Sequence, residues 1–301
     1  MDHHAVLAHL SAQEKAALTR RSDLAGLRHL ALYLGCLTLT SVWIGVQAPL
    51  WGLALLPQGL LIVSLFTLCH ECTHQTPFRT PWMNEAVGHA SGLLLLLPFQ
   101  WFRYFHLAHH RHTNDHENDP ELASPRPDTW GQYVWHVTGL PYWGAMIRVL
   151  GQNGFGQPQA PYLPPRTLPR LRREARAYLA IYAAVLLSLL VSPIAASIWI
   201  VPALIGQPFL RLYLLAEHGR CPPVANMLEN TRTTLTNRIL RFLAWNMPYH
   251  IEHHSFPAVP FHALPRLHEH MQNDLVTTAP GYAAFTREYV GGLGQSSNNG
   301  I

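Results

Sequence analysis

The sequence predicts an all-α integral membrane protein, with four transmembrane helices arranged as two hairpins and a cytoplasmic helical cap that gathers many histidines. Three observations lead to this fold class. Hydrophobic residues form 49% of the chain and are collected into blocks, whereas charged residues form only 13%, about half of the share in ordinary soluble domains. Two of the turns between blocks contain no lysine or arginine, and the histidine clusters stand where blocks end.

The first predicted hairpin consists of residues 27–46 and 50–68, joined by a tight turn at residues 47–49. Each block comes close to the roughly 20 apolar residues that a helix needs to cross a bilayer. Pro57 is expected to kink the returning helix, since proline disrupts the hydrogen bonding of a helix interior. The polar residues 1–26 that precede this hairpin are predicted to form a cytoplasmic N-terminal segment.

The second predicted hairpin consists of residues 177–191 and 195–215, with its turn at residues 192–194. Prolines and a glycine within the returning block predict an irregular helix, and such helices in membranes border protein or a cavity. The histidine clusters are spread along the chain and have to converge, so one membrane domain is predicted over residues 27–270. A polar C-terminal tail is predicted over residues 271–301.

The apolar segment 84–102 lies between the first two histidine clusters and is predicted to be a re-entrant or interfacial helix. If it crossed the membrane, His74 and His106 would lie on opposite sides, which is incompatible with a shared site. Residues 122–176 are rich in proline and arginine. They are predicted to form a cytoplasmic insertion that carries interfacial helices.

The basic residues agree with this topology. The chain has 21 Lys and Arg against 17 Asp and Glu, a formal net charge of +4. They fall in or beside the segments placed inside, which is the positive-inside pattern of membrane proteins. The histidine clusters are therefore predicted to face the cytoplasm, and the inner membrane of a bacterium is the expected location. No nucleic-acid-binding motif accompanies the basic character, so no nucleic-acid partner is expected.

Three short histidine clusters organise the chain: HxxxH at residues 70–74, HxxHH at residues 106–110 and HxxHH at residues 250–254. Residues three and four apart share one face of a helix, so the histidines of each cluster point in one direction. Neutral imidazole is the commonest metal ligand in proteins, and three such clusters together are typical of a metal site. These eight candidate ligands are His70, His74, His106, His109, His110, His250, His253 and His254.

A ninth candidate ligand, His218, follows the second hairpin and is predicted to emerge at the same membrane depth as His70. Eight or more imidazoles exceed the needs of one ion, so two ions are expected. Structural zinc sites usually include thiolates, whereas non-heme iron tolerates nitrogen ligands and open positions for oxygen. Copper and zinc stay open on ligand type alone. Cys69 and Cys72 form a single CxxC and are interpreted as small buried residues.

These motifs resemble those of the membrane fatty acid desaturase family. The resemblance rests on the order of the three clusters, on the apolar hairpins around them, and on the sequences NTRTT at residues 230–234 and NMPYHIEHH at residues 246–254. It extends over residues 27–270. It implies two iron ions held by all nine histidines, with O2 as co-substrate, and a double bond introduced into a fatty acyl chain or lipid. It also implies a separate electron donor, either ferredoxin-like or a cytochrome.

Other functions stay open beside this one. A hydroxylase, a carotenoid ketolase or an oxidative decarboxylase would use the same scaffold and motifs. A metal transporter would place its ligands within its helices near the bilayer midplane, whereas these clusters stand at helix ends. No catalytic group beyond the metal ligands is expected. Glu71, Glu217 and Glu252 are predicted to orient ligand imidazoles by accepting their second N–H.

Overall fold

The computed structural model describes residues 2–294. Within that part of the chain the fold is helical, apart from one pair of parallel two-residue strands, β1 (Thr233–Thr234) and β2 (Thr278–Ala279). The helices are α1 (His3–Ala8), α2 (Ala12–Leu18), α3 (Asp23–Gly45), α4 (Trp51–His74), α5 (Pro81–Leu94), α6 (Phe99–His112), α7 (Trp130–Val137), α8 (Leu140–Phe155), α9 (Leu168–Ser188), α10 (Val201–His218), α11 (Met227–Asn230), α12 (Arg238–Leu243), α13 (His250–Ser255), α14 (Leu264–Met271) and α15 (Tyr282–Gly291).

Three helices in the described chain are long and apolar enough to cross a membrane, over Ala12–Gly45, Trp51–His74 and Ala196–His218. The first two form the predicted first hairpin. Ser22 begins α3 by accepting a hydrogen bond from the backbone N–H of Ala25, which is the usual role of a serine N-cap. Helix α4 continues through Pro57 as far as His74, so the first histidine cluster forms the last turn of a long apolar helix.

The second apolar hairpin is less regular than the first. Helix α9 carries several arginines in its first half and is not among the three candidate spans. The returning helix begins as a π-helix over Ala196–Ile200 before it continues as α10, which confirms the predicted irregularity. The side chain of Gln58 in α4 donates a hydrogen bond to the carbonyl of Ile198 at 2.7 Å, and this contact helps to satisfy the loosened backbone.

Helices α4 and α10 cross in very close contact, because each has a glycine at the crossing. A Cβ atom on Gly59 would lie 2.2 Å from the carbonyl oxygen of Pro202, and one on Gly206 would lie 2.4 Å from the carbonyl oxygen of Gly59. Small residues allow such backbone contact between membrane helices. The crossing fixes the end of α4, with the first histidine cluster, relative to the end of α10, with His218.

Residues 84–102 do not form the single helix that was predicted. Helix α5 ends at Leu94 and α6 begins at Phe99, with Leu96 in the left-handed backbone region at φ 57°. The hydroxyl of Tyr142 donates to the carbonyl of Leu95 at 2.8 Å and satisfies one backbone group of the break. The chain reverses here, and α6 carries the second histidine cluster back to the end of α4.

Segments from both ends of the described chain pack on helices that carry candidate ligands, α1 on α13 and α15 on α10. Helices α1 and α2 and the turn between them bury Val6, Leu10 and Leu18 in one apolar cluster with Leu267 and Met271 of α14. The N-terminal segment is thus packed against the helices that follow the third histidine cluster. Within the predicted polar tail, α15 packs on α10 and is folded. Residues 295–301 lie outside the described part of the chain.

Candidate metal centre

All nine histidines that the sequence singles out converge at one place. They come from the last turns of α4 and α10, from the second half of α6, and from α13. The Nε2 atoms of His74 and His106 are 2.9 Å apart, although they belong to different clusters. Those two histidines therefore lie on the same side of the fold, as the prediction for residues 84–102 required.

The imidazoles fall into two groups, and within each group the potential ligand atoms all lie within 4.8 Å of one another. The first group contains His70, His74, His106, His110 and His253, and the second contains His109, His218 and His254. His250 stands beside the second group, with its Nε2 3.1 Å from that of His218. The division of the imidazoles into two compact groups is what two ions would require.

Hydrogen bonds on the outer nitrogens fix the direction of the second group. The Nδ1 atom of His109 lies 3.0 Å from the Asp119 carboxylate, and that of His218 lies 3.2 Å from the carbonyl oxygen of Asn230. Both acceptors require an N–H, so in the neutral tautomers both Nε2 atoms carry a lone pair. These two Nε2 atoms face each other at 3.2 Å. Two lone pairs at that distance repel, and a shared cation removes the repulsion.

Some ligand nitrogens in both groups are buried without a hydrogen-bond partner. Both ring nitrogens of His70 are shielded from solvent and have no hydrogen-bond partner within residues 2–294, and the same is true of Nε2 of His254 in the second group. Buried polar atoms without partners are rare and call for an explanation such as an ion. The donor set therefore fits metal ions in both groups.

Two of the three predicted glutamates lie close to the outer nitrogens of ligand imidazoles, without forming a hydrogen bond to them in the described chain. Nδ1 of His253 lies 3.5 Å from Glu71, and Nδ1 of His250 lies 3.4 Å from Glu217. The prediction for Glu252 was wrong. Its carboxylate accepts a hydrogen bond from Thr233 and contacts His268, because its position on α13 points it away from the histidine groups.

Asp119, a buried acceptor of the second group, was not predicted from the sequence. It lies in a loop ten residues after His109. The signal that could have found it is an aspartate directly before Pro120, where an Asx side chain can cap a turn. Its carboxylate does so by accepting from the backbone N–H of Glu121 at 2.9 Å.

Burial favours the neutral imidazoles that metal binding needs. Removal from water lowers the pKa of His106, His110, His253 and His254 well below the ordinary value, since desolvation penalises the charged form. His109 differs. Burial opposes its charge, but the carboxylates of Glu121 and Asp119 outweigh burial and raise its pKa.

The cysteines take no part in either group. Cys69 and Cys72 are buried and free, as predicted, and they belong to the apolar cluster that surrounds α4.

Comparison with known proteins agrees with this site. The sequence model of the fatty acid desaturase family matches residues 46–286, most of the chain. This protein belongs to the fatty acid desaturase family. The match includes all three histidine clusters, His218 and the residues that stand behind them.

Several curated proteins are similar over shorter stretches. An sn-1 oleoyl-lipid 12-desaturase of Picosynechococcus is 32% identical over 39% of this chain and 35% of its own length. An sn-1 acyl-lipid omega-3 desaturase (ferredoxin) of Nostoc is 36% identical over 26% of this chain and 21% of its own. An acyl-lipid omega-3 desaturase (cytochrome b5) of Arabidopsis thaliana is 33% identical over 30% and 23%. In each case the chain spans about a third or less of the relative's length.

Proposed function

We propose that this protein is a membrane-bound, oxygen-dependent desaturase that introduces a double bond into a fatty acyl chain at a site of two iron ions. The observation that carries the proposal is the convergence of nine imidazoles in two adjacent buried groups. The family match adds the reaction class, and the similar proteins are named as desaturases of acyl lipids.

Iron suits this donor set because it accepts nitrogen-rich coordination while leaving positions open for oxygen. When bound, two iron ions with O2 and electrons would supply an oxidant able to remove hydrogen from an unactivated C–H bond. The proposed ligands are His70, His74, His106, His110 and His253 for one ion, with His109, His218, His250 and His254 for the other. The proposal thus gives every predicted histidine a role.

The chain's own contribution is orientation and exclusion of water. Asp119 and the Asn230 carbonyl hold the imidazoles of His109 and His218 in the tautomer that directs Nε2 inward. The carboxylates of Glu71 and Glu217 lie near the outer nitrogens of two other imidazoles. Such outer partners raise ligand basicity and fix ring orientation. The ring of Phe102 stacks on His106 at 5.5 Å between centroids, so an apolar wall adjoins the metal groups.

We propose four membrane spans, with α9 as the fourth, and a metal site that faces the cytoplasm. In support, the C-terminal end of α9 and the turn after it expose Leu186, Leu187, Leu190 and Val191, which is the surface that lipid would cover. The outer turns at residues 47–49 and 192–194 lack lysine and arginine. A bacterial inner membrane is the proposed location.

A separate electron donor is part of the proposal. The Nostoc and Arabidopsis relatives carry ferredoxin and cytochrome b5 in their names. By analogy, a ferredoxin-like protein or a cytochrome would deliver electrons to this chain at its cytoplasmic face.

The proposal is tested with the purified full chain in lipid nanodiscs. We expect close to two iron ions per chain, and O2 consumption that depends on a reductant, an electron donor and acyl lipid. A His253→Ala variant should lose iron from the first group and consume no O2. A metal transporter would instead move metal across a sealed bilayer and consume none. A hydroxylase, ketolase or decarboxylase would consume O2 but release a different product.

A further inference from the structure

Helix α10 carries an arginine inside its apolar segment. Arg211 lies seven residues before His218, within the candidate span Ala196–His218. A charged side chain inside a membrane segment is costly and marks a functional site unless it is paired. Residues seven apart lie on the same face of a helix, so Arg211 and His218 face the same side, about 10 Å apart along the axis.

The guanidinium of Arg211 has no anionic partner in contact. It lies over the ring of Tyr142, with Cζ 4.4 Å from the centroid. Within residues 2–294 it forms no ion pair with a carboxylate, and Nε and Nη2 are shielded from solvent without a hydrogen-bond partner. Glu121 and Glu217 interact with it electrostatically but do not contact it.

The two unpartnered nitrogens are informative because they share one edge of the guanidinium. Nε–H and Nη2–H point in parallel, and this edge binds the two oxygens of a carboxylate or phosphate through paired hydrogen bonds. In the structure this edge of Arg211 is buried and unused. A guanidinium that served only to pair with neighbouring glutamates would direct this edge at them.

Further unpartnered polar atoms lie around the same place. Gln207, one helical turn before Arg211, is completely buried, and neither of its amide atoms has a partner in the described chain. It packs against Gly139, which has φ +73° and would bring a Cβ within 2.2 Å of Gln207. Nε2 of His136, just before that turn, is also buried without a partner. Unpartnered polar atoms thus collect between α10 and the α7–α8 turn.

Apolar side chains are packed between these polar atoms and the metal groups. Tyr142, which covers Arg211, packs against the buried apolar cluster that contains Leu65 and Phe102. Phe102 in turn stacks on His106. An extended alkyl chain whose anionic end is held at Arg211 would therefore run along apolar side chains to the imidazoles.

We propose that Arg211 and Gln207 form a binding subsite for an anionic oxygen group of the substrate, with the alkyl part directed at the metal centre. This inference rests on the proposed desaturase function and adds to it. The ligand chemistry is an alkyl chain that ends in a carboxylate or carries a phosphate. The first would come from an unesterified acyl chain, and the second from a lipid headgroup.

The test is equilibrium binding to the full chain, loaded with iron and held in nanodiscs of zwitterionic lipid. The probes are palmitate, methyl palmitate and dipalmitoyl phosphatidate. The main variant is Arg211→Gln, and the matched control is Arg148→Gln, since Arg148 is an exposed arginine of α8. Binding needs no turnover, and iron content and product formation are measured separately.

We expect Arg211→Gln to weaken palmitate binding about 10- to 100-fold, which is the effect of losing hydrogen bonds to a charged group. Methyl palmitate should bind both proteins alike, and Arg148→Gln should match the wild type. If phosphatidate loses affinity and palmitate does not, the anion is a headgroup phosphate. Unchanged affinity for both anions in Arg211→Gln would overturn the proposal.

Two further measurements separate this inference from its alternatives. If Arg211 served folding only, Arg211→Gln would lower the thermal midpoint, and Arg211→Lys would restore both midpoint and affinity. We expect Arg211→Lys to fold normally yet bind palmitate weakly, because lysine lacks the paired N–H edge. If the wild type bound palmitate through Arg211 but formed no unsaturated product, the subsite would stand and the desaturase function would fail.

Discussion

Replacing Asp119 with asparagine should remove one metal ion and leave the other in place. The carboxylate of Asp119 accepts hydrogen bonds from Nδ1 of His109 at 3.0 Å and from the backbone N–H groups of Asn114 at 2.8 Å and Glu121 at 2.9 Å. Asparagine has the same shape but lacks the charge, and its amide nitrogen cannot accept. The imidazole of His109 would keep only a neutral oxygen as its acceptor, which holds Nδ1–H, and so the direction of Nε2, more weakly than a carboxylate does.

The size of the effect follows from that single contact. Loss of an outer partner weakens metal binding about 10- to 100-fold, which is about 1.4 to 2.7 kcal/mol. The five histidines of the first group do not contact Asp119, so their ion should be unaffected. With a competing chelator at a concentration that leaves both ions on the wild type, the variant should retain close to one iron per chain.

The assay is elemental analysis of iron per chain after equilibration with the chelator. The matched control is Asp115→Asn in the same loop. Asp115 is partly exposed and hydrogen-bonds only within its own turn, so this variant should keep two ions. If Asp119→Asn retained two ions as tightly as the wild type, or lost both together, the division of the histidines into two groups would be refuted.

Three further predictions follow. Glu71→Gln should weaken the other ion by a similar factor, since Glu71 stands behind His253; loss of the second-group ion instead would contradict this. Gly59→Ala should destabilise the protein by about 3 kcal/mol, because its Cβ would lie 2.2 Å from a carbonyl oxygen. Gly52→Ala, with open space around it, should not, as thermal midpoints in detergent will show. The metal-free protein should lose stability as the pH falls through about 6.5. Burial lowers the pKa of His106, His110, His253 and His254, so the unfolded chain takes up protons at a pH where these histidines are still neutral in the folded protein. Equal thermal midpoints at about pH 7.5 and about pH 5.5 would contradict this.

The nine histidines could be predicted from the sequence because the information is local. Spacings of three and four place the side chains of each cluster on one helical face. Long apolar blocks precede both His70 and His218, so the sequence predicts that the ends of α4 and α10 emerge at the same level of the membrane. His218 is the hardest of the nine, since it stands alone, and its prediction depended on the hairpin that precedes it.

The residues that support the histidines were harder to predict, because they depend on contacts between distant segments. Asn230 contributes a backbone carbonyl, for which no residue type gives a signal. Glu252 sits within a histidine cluster, yet its position on α13 directs it to Thr233 and His268. Sequence proximity to a ligand therefore does not show that a carboxylate stands behind that ligand.

The break within the apolar segment 84–102 was also missed. The segment 84–102 has no turn signal of glycine or asparagine at its break, only Pro98 after a run of leucines. Leu96 adopts the left-handed backbone region there, an unfavourable conformation for leucine. Tertiary contacts, including the hydrogen bond from Tyr142 to Leu95, determine where the chain reverses, and these involve residues far along the sequence.

The central claim is that the histidine groups catalyse desaturation of an acyl chain. The most direct test is the fatty acid profile, by mass spectrometry, of a bacterial host that expresses the protein with a ferredoxin donor, beside a host that expresses the His253→Ala variant. We predict a new fatty acid that lacks one pair of hydrogen atoms and is absent with the variant. A product heavier by one oxygen atom, or an unsaturated acid that persists with His253→Ala, would contradict the claim.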